Sequence, residues 1–211
     1  MSETNPAIRA ALAAIAAAHR AHGPDSTAMA DALDALGRAR LAQGDAAGGR
    51  EAHARAQEID RAALGPDHPT LARDLTGLGA AQQMAGALIA AETAFRQALA
   101  IDRAALGDAH PDVAIRLNHL GTVLLDMGDA EAALSSFEQA LAIDEAAGSA
   151  PTVITVRASN IGNALRVLNE AEAARAAYQW ALDLFTRALG PAHPNTQSVA
   201  ANLAALRSAQ G

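Results

Sequence analysis

The chain has 211 residues, a mass of 21.4 kDa and a formal net charge of −7. It contains no Cys and no Lys, so all 16 basic residues are Arg. These absences exclude disulfides, Cys-ligated metal sites, thiolate nucleophiles, a P-loop lysine and lysine Schiff bases.

The pI is about 5.4 and no basic run occurs, which argues against nucleic acid and anionic membrane surfaces as partners. No stretch is long and apolar enough to suggest a transmembrane helix. The expected compartment is the cytoplasm. Alanine supplies 59 residues and aromatics only 2%.

In chain order, residues 5–22 read as a leading helix. Ala10 to Ala18 resemble a signal-peptide core, but they are mostly Ala, with Glu3 and a single Arg9 before them, so a terminal helix is the better reading. Four similar segments follow, at 26–65, 69–107, 111–148 and 151–190, and a closing helix at 194–209. Their loops contain Leu64-Gly65-Pro66-Asp67-His68-Pro69, Leu106-Gly107-Asp108-Ala109-His110-Pro111 and Leu189-Gly190-Pro191-Ala192-His193-Pro194. Gly23, Gly65, Gly107, Gly148 and Gly190 are spaced by 42, 42, 41 and 42 residues. Leu36-Gly37, Leu78-Gly79, Leu120-Gly121 and Ile161-Gly162 keep the same step, as do Gly44, Gly86, Gly128 and Asn169. So do Phe95, Phe137 and Tyr178, with His53 at the equivalent earlier place. Ladders in phase are the mark of a repeat protein.

Each period predicts two helices. In the third, Val113, Leu117, Leu120 and Leu124 form one apolar stripe from about Pro111 to Met127. Pro111 suits a first turn and Asp112 its positive end. Gly128 suits the left-handed helix stop, a conformation Asn169 also adopts readily. Ala133, Leu134, Phe137, Ala140 and Leu141 form the stripe of a second helix, from about Ala130 to Ala147. The short connections make neighbours antiparallel. Glycine inside the first helices costs about 1 kcal/mol each, so its recurrence predicts close approach, with the recurring ring filling the adjacent space.

This pattern resembles the tetratricopeptide repeat. Leu117, Leu120, Gly121, Leu124, Ala133, Phe137 and Ala140 match one unit. Leu75, Leu78, Gly79, Ala91, Phe95 and Ala98 match another, and Ile161, Gly162, Leu165, Ala174, Tyr178 and Ala181 a third. Leu33, Leu36, Gly37 and Ala56 match a fourth, which departs at Gly49 and His53. The longer period and the Leu-Gly-x-x-His-Pro loop are similar to the kinesin light chain subclass, which also occurs in bacterial signalling proteins. The resemblance implies an all-α fold: a right-handed α–α solenoid of antiparallel pairs, with four full repeats, flanking half-repeats and nine or ten helices. One solenoid domain is expected, since nothing reads as a linker.

The resemblance further implies a concave groove, lined by the first helices, that binds a protein or peptide without catalysis. The positions it marks are Arg38, Arg73, Thr76, Gln83, Asn118, Thr122, Ser159, Asn163 and Arg166. Of these, Asn118, Ser159 and Asn163 suit a peptide backbone best, because an amide both donates and accepts. Asn118-His119 stands where the subclass has paired Asn. A Lys/Arg/Asn carboxylate clamp is not matched. A self-associating or regulatory module of a bacterial signalling system is the alternative, and a homo-oligomer stays open.

No nucleophile elbow, phosphate loop or zinc-protease motif occurs, so an enzyme is not expected, nor a cofactor. His68, His110 and His193 lie one or two repeats apart, too far to share a metal, and are expected to organise their turns. Asp60, Asp102 and Asp144 recur on second helices and are expected to face solvent. Trp180, with Tyr178 and Phe185, is expected in a C-terminal core, with a partner surface as the alternative. Gln197, Asn202, Arg207 and Gln210 suit a polar cap on the closing helix.

Overall fold

The computed structural model describes residues 5–208, which form ten α-helices and no strand. The chain divides into two compact units, Met1–Gly107 and Asp108–Gly211. The first holds α1 (Pro6–His22), α2 (Thr27–Leu41), α3 (Ala46–Leu64), α4 (Thr70–Met84) and α5 (Leu88–Leu106). The second holds α6 (Pro111–Asp126), α7 (Ala130–Ala146), α8 (Pro151–Val167), α9 (Ala171–Leu189) and α10 (Pro194–Ser208). Within each unit every helix packs on the next, and the first helices of successive pairs also touch, α2 on α4 and α6 on α8. Each unit is therefore a stack of helical hairpins, the α–α solenoid architecture.

The helix ends follow from local chemistry. Asp45 and Asp129 cap α3 and α7, their carboxylates accepting from the backbone N–H of Gly48 at 2.8 Å and Ala132 at 3.1 Å. Asn169 ends α8 with φ of 62°, in the left-handed region that Gly128 occupies after α6. The loop histidines act as caps. Nδ1 of His68, His110 and His193 accepts from the N–H two residues on, at 3.3, 3.1 and 3.2 Å. The imidazole thus does what an Asn side chain does at a helix start, beside a Pro that has no N–H to satisfy.

The recurring glycines and rings meet as the spacing predicts. A methyl group on Gly79, Gly121 or Gly162 would stand 2.6–2.7 Å from Phe95, Phe137 or Tyr178. His53 takes the ring's place against Gly37, and also lies against Gly77 of the next pair. All four rings are fully buried.

Two expectations fail. Asp60, Asp102 and Asp144 do not face solvent: they are 1%, 2% and 2% exposed. Asp144 is held by Arg157 Nε at 2.9 Å and by the Ser149 hydroxyl at 2.9 Å, so the recurring acid joins consecutive helices. Trp180 is absent from the C-terminal core, which is built around Tyr178, Phe185, Val199 and Leu203; its own side chain is 38% exposed. On α10, Gln197 is exposed and Asn202 half-buried. The Arg207 side chain, Ala209 and Gln210 lie outside the described residues.

Candidate functional site

In the first unit, the predicted groove residues are largely committed to the protein itself. Arg38 pairs with Asp34 one turn earlier, at 3.2 Å. Arg73 reaches Asp31 at 2.8 Å and Asp74 at 3.3 Å. Thr76 is buried, and its hydroxyl donates to the Ala72 carbonyl at 2.6 Å. Gln83 is half-buried near the end of α4. Burial pushes the Asp34 carboxyl up, but His53 at 3.3 Å and the charges of Arg38 and Arg73 outweigh it and hold it low.

The second unit is different. The first helices α6 and α8, with α10, border two adjoining clefts of about 420 and 160 Å³, which share Val156 and Asn195. Ile115, Val153 and Val199 add apolar wall, while Ser159, Asn160 and Ser198 add polar groups. Asn160 Nδ2 donates to Asn118 Oδ1 at 2.8 Å, joining α8 to α6. Among the described residues this uses one N–H of Asn160 and one lone pair of Asn118 Oδ1. The Asn118 amino group and the Asn160 carbonyl oxygen remain, one donor group beside one acceptor.

The charge on this side is largely neutralised. Arg157 lines the larger cleft with its partner Asp144. His119, next to Asn118, is pushed down to about 4 by burial and by Arg116 and Arg157, so it is uncharged at neutral pH. Of the remaining predicted residues, Thr122 donates back to the His119 carbonyl at 2.8 Å. Asn163 accepts from the Tyr178 hydroxyl at 2.7 Å, and Arg166 is exposed beside that pair. The structure thus brings Asn118 and Ser159 to the α6–α8 side and turns Asn163 towards α9 and α10. A third cleft of about 470 Å³, between α9 and α10, contains none of the predicted residues. Among the described residues, no group of three His, Asp or Glu side chains converges to hold a metal, and no helix is long and apolar enough to cross a membrane.

Models of the tetratricopeptide repeat match residues 29–104 and 88–146, and another of the same description matches 156–195. The chain belongs to the tetratricopeptide repeat family. Its fold is similar to those of several solved structures. BtubC (BKLC) from P. vanneervenii aligns with a TM-score of 0.78 at 18% identity, over 97% of this chain and 83% of that one. The kinesin light chain TPR-like repeats of Podosopora anserina give 0.68 at 17% identity, over 86% and 87%. The apo form of RapI gives 0.73 at 16% identity, over 86% and 64%. No curated protein matches the chain by sequence. At these identities the structural likeness speaks for the fold, and the tetratricopeptide fold is one that suits protein-interaction scaffolds.

Within this tetratricopeptide chain, sequence reasoning missed Asn160. It stands one place before the Ile161-Gly162 pair and 42 residues after Asn118. A separation of one repeat length, between two first helices, is the signal that could have found it.

Proposed function

We propose that the chain is a non-catalytic scaffold that holds an extended, uncharged segment of a partner protein along α6, α8 and α10. The observation that carries this reading is the Asn118–Asn160 pair, which presents a donor and an acceptor beside an apolar cleft. An extended segment offers one N–H and one C=O per residue. Turning both amides over leaves the pair with one donor and one acceptor, so the match does not depend on their orientation. Ile115, Val153 and Val156 give small apolar side chains of the segment something to cover. With Arg157 paired and His119 uncharged, the cleft favours a segment without a charge cluster.

Peptides selected from a display library on the immobilised full chain test this. The expected winners are uncharged in their central residues, bind with little change between low and high salt, and lose binding to Val156→Arg. Winners rich in Asp, Glu, Lys or Arg, with strongly salt-dependent binding that survives Val156→Arg, would contradict the reading.

A further inference from the structure

Arg73 of α4 is ringed by carboxylates from three helices. Asp31 of α2 meets Nη1 at 2.8 Å, and Asp34 of α2 stands 4.0 Å from Nε. Nη2 faces two acids at once, Asp60 of α3 at 3.5 Å and Asp74 of α4 at 3.3 Å. Asp34 has further help from Arg38 and His53. Asp60 and Asp74 share Nη2, and Asp74 Oδ1 also accepts from Nε at 3.4 Å. Both oxygens of Asp60 and Oδ2 of Asp74 are buried and make no hydrogen bond.

Two buried carboxylates that share one cation cannot both stay ionised at low cost, because desolvation and mutual repulsion act on each. A proton on one of them removes a charge and supplies the missing donor. The groups facing the pair are Asp31 from α2, His68 from the loop and Arg73 from α4, while Asp34 of α2, with Arg38 and His53 beside it, draws on the same Arg73. α5, which also packs on α4, pairs Glu92 with Arg96 at 2.8 Å and carries Asp102 and Arg103.

We propose that Asp60 and Asp74 share one proton and form a proton-held latch between α3 and α4, so that the first unit tightens at mildly acidic pH and loosens as the proton leaves. Burial pushes Asp74 up to about 7; Arg73 opposes this and Asp60 adds to it. Burial raises Asp60 too. The sign follows. An acid raised on folding binds its proton in the folded chain and not in the unfolded one, between its ordinary value of 3.8 and about 7. Its stabilisation is complete below that window and fades as pH rises through it.

Amide hydrogen exchange of α3 and α4 in the full chain, corrected for the chemical rate, reads the latch directly. The opening constant should rise by up to about tenfold per pH unit between about pH 4 and 7, with α8 as the internal reference. Asp74→Asn keeps the shape and a donor but cannot ionise, so its opening constant should lose most of that slope. Infrared spectra in heavy water give a second measurement that needs no variant: a protonated carboxyl band should persist above about pH 5, fall to about half near pH 7 and fade about one to two pH units higher. A slope unchanged in Asp74→Asn, or no such band in the parent chain, would overturn the proposal.

Discussion

Tyr178 of α9 donates its hydroxyl to Asn163 Oδ1 of α8 at 2.7 Å, and Asn202 Nδ2 of α10 reaches the same oxygen at 3.4 Å. One amide oxygen therefore ties three helices. Burial raises the Tyr178 phenol above its ordinary range, so it remains a donor at any physiological pH. Asn163→Ala leaves that hydroxyl without its acceptor and should cost about 1–3 kcal/mol in urea unfolding. Tyr178→Phe in the Asn163→Ala background should recover part of the loss. Full stability in Asn163→Ala would instead return this residue to the groove.

The Gly121–Phe137 contact sets a second expectation. Alanine is the better helix former by about 1 kcal/mol, yet the added methyl would stand 2.6 Å from the ring. Gly121→Ala should therefore destabilise, by about 1–3 kcal/mol. Phe137→Ala should cost about 3–5 kcal/mol through the cavity it leaves. Thermal unfolding of the two variants and of Gly121→Ala with Phe137→Leu checks the pairing, because the double variant should lose less than the sum.

The buried ion pair of Asp144 and Arg157 predicts an asymmetry. Arg157→Met strands a carboxylate that is almost wholly buried, and should cost about 3–5 kcal/mol. Adding Asp144→Leu removes the stranded charge and should restore most of the loss. Equal losses in the single and double variants would show that packing, not charge, dominates there.

The His110 cap is checked more simply. His110→Ala removes the acceptor for the Asp112 N–H and should cost about 1 kcal/mol, whereas His110→Asn, which keeps an acceptor near the same place, should cost less. Denaturant midpoints for the two variants separate capping from the loss of ring contacts.

The repeat and its helix pairs were legible because each small residue, ring and stop keeps a fixed step, so the pattern survives the 41-residue spacing between Gly107 and Gly148. The burial of the recurring acids was not. A periodic Asp has the same appearance in sequence whether it faces water or an Arg of the following helix, and the partner of Asp144 lies 13 residues on, across a turn. The position of Trp180 was hidden for a related reason: aromatic mass near a core suggests core, although its neighbours Tyr178 and Phe185 are the ones that point inward. At the groove, Asn118 was visible from its position on a first helix, while Asn160 emerges only when two repeats are placed side by side.

The central claim turns on the Asn118–Asn160 pair. The most direct measurement is the affinity of a selected peptide for the parent chain and for the Asn118→Ala, Asn160→Ala double variant at matched thermal stability. Loss of two backbone hydrogen bonds from the cleft should weaken binding by roughly tenfold or more, with the midpoint of unfolding little changed. Equal affinity in two equally stable proteins would contradict the account.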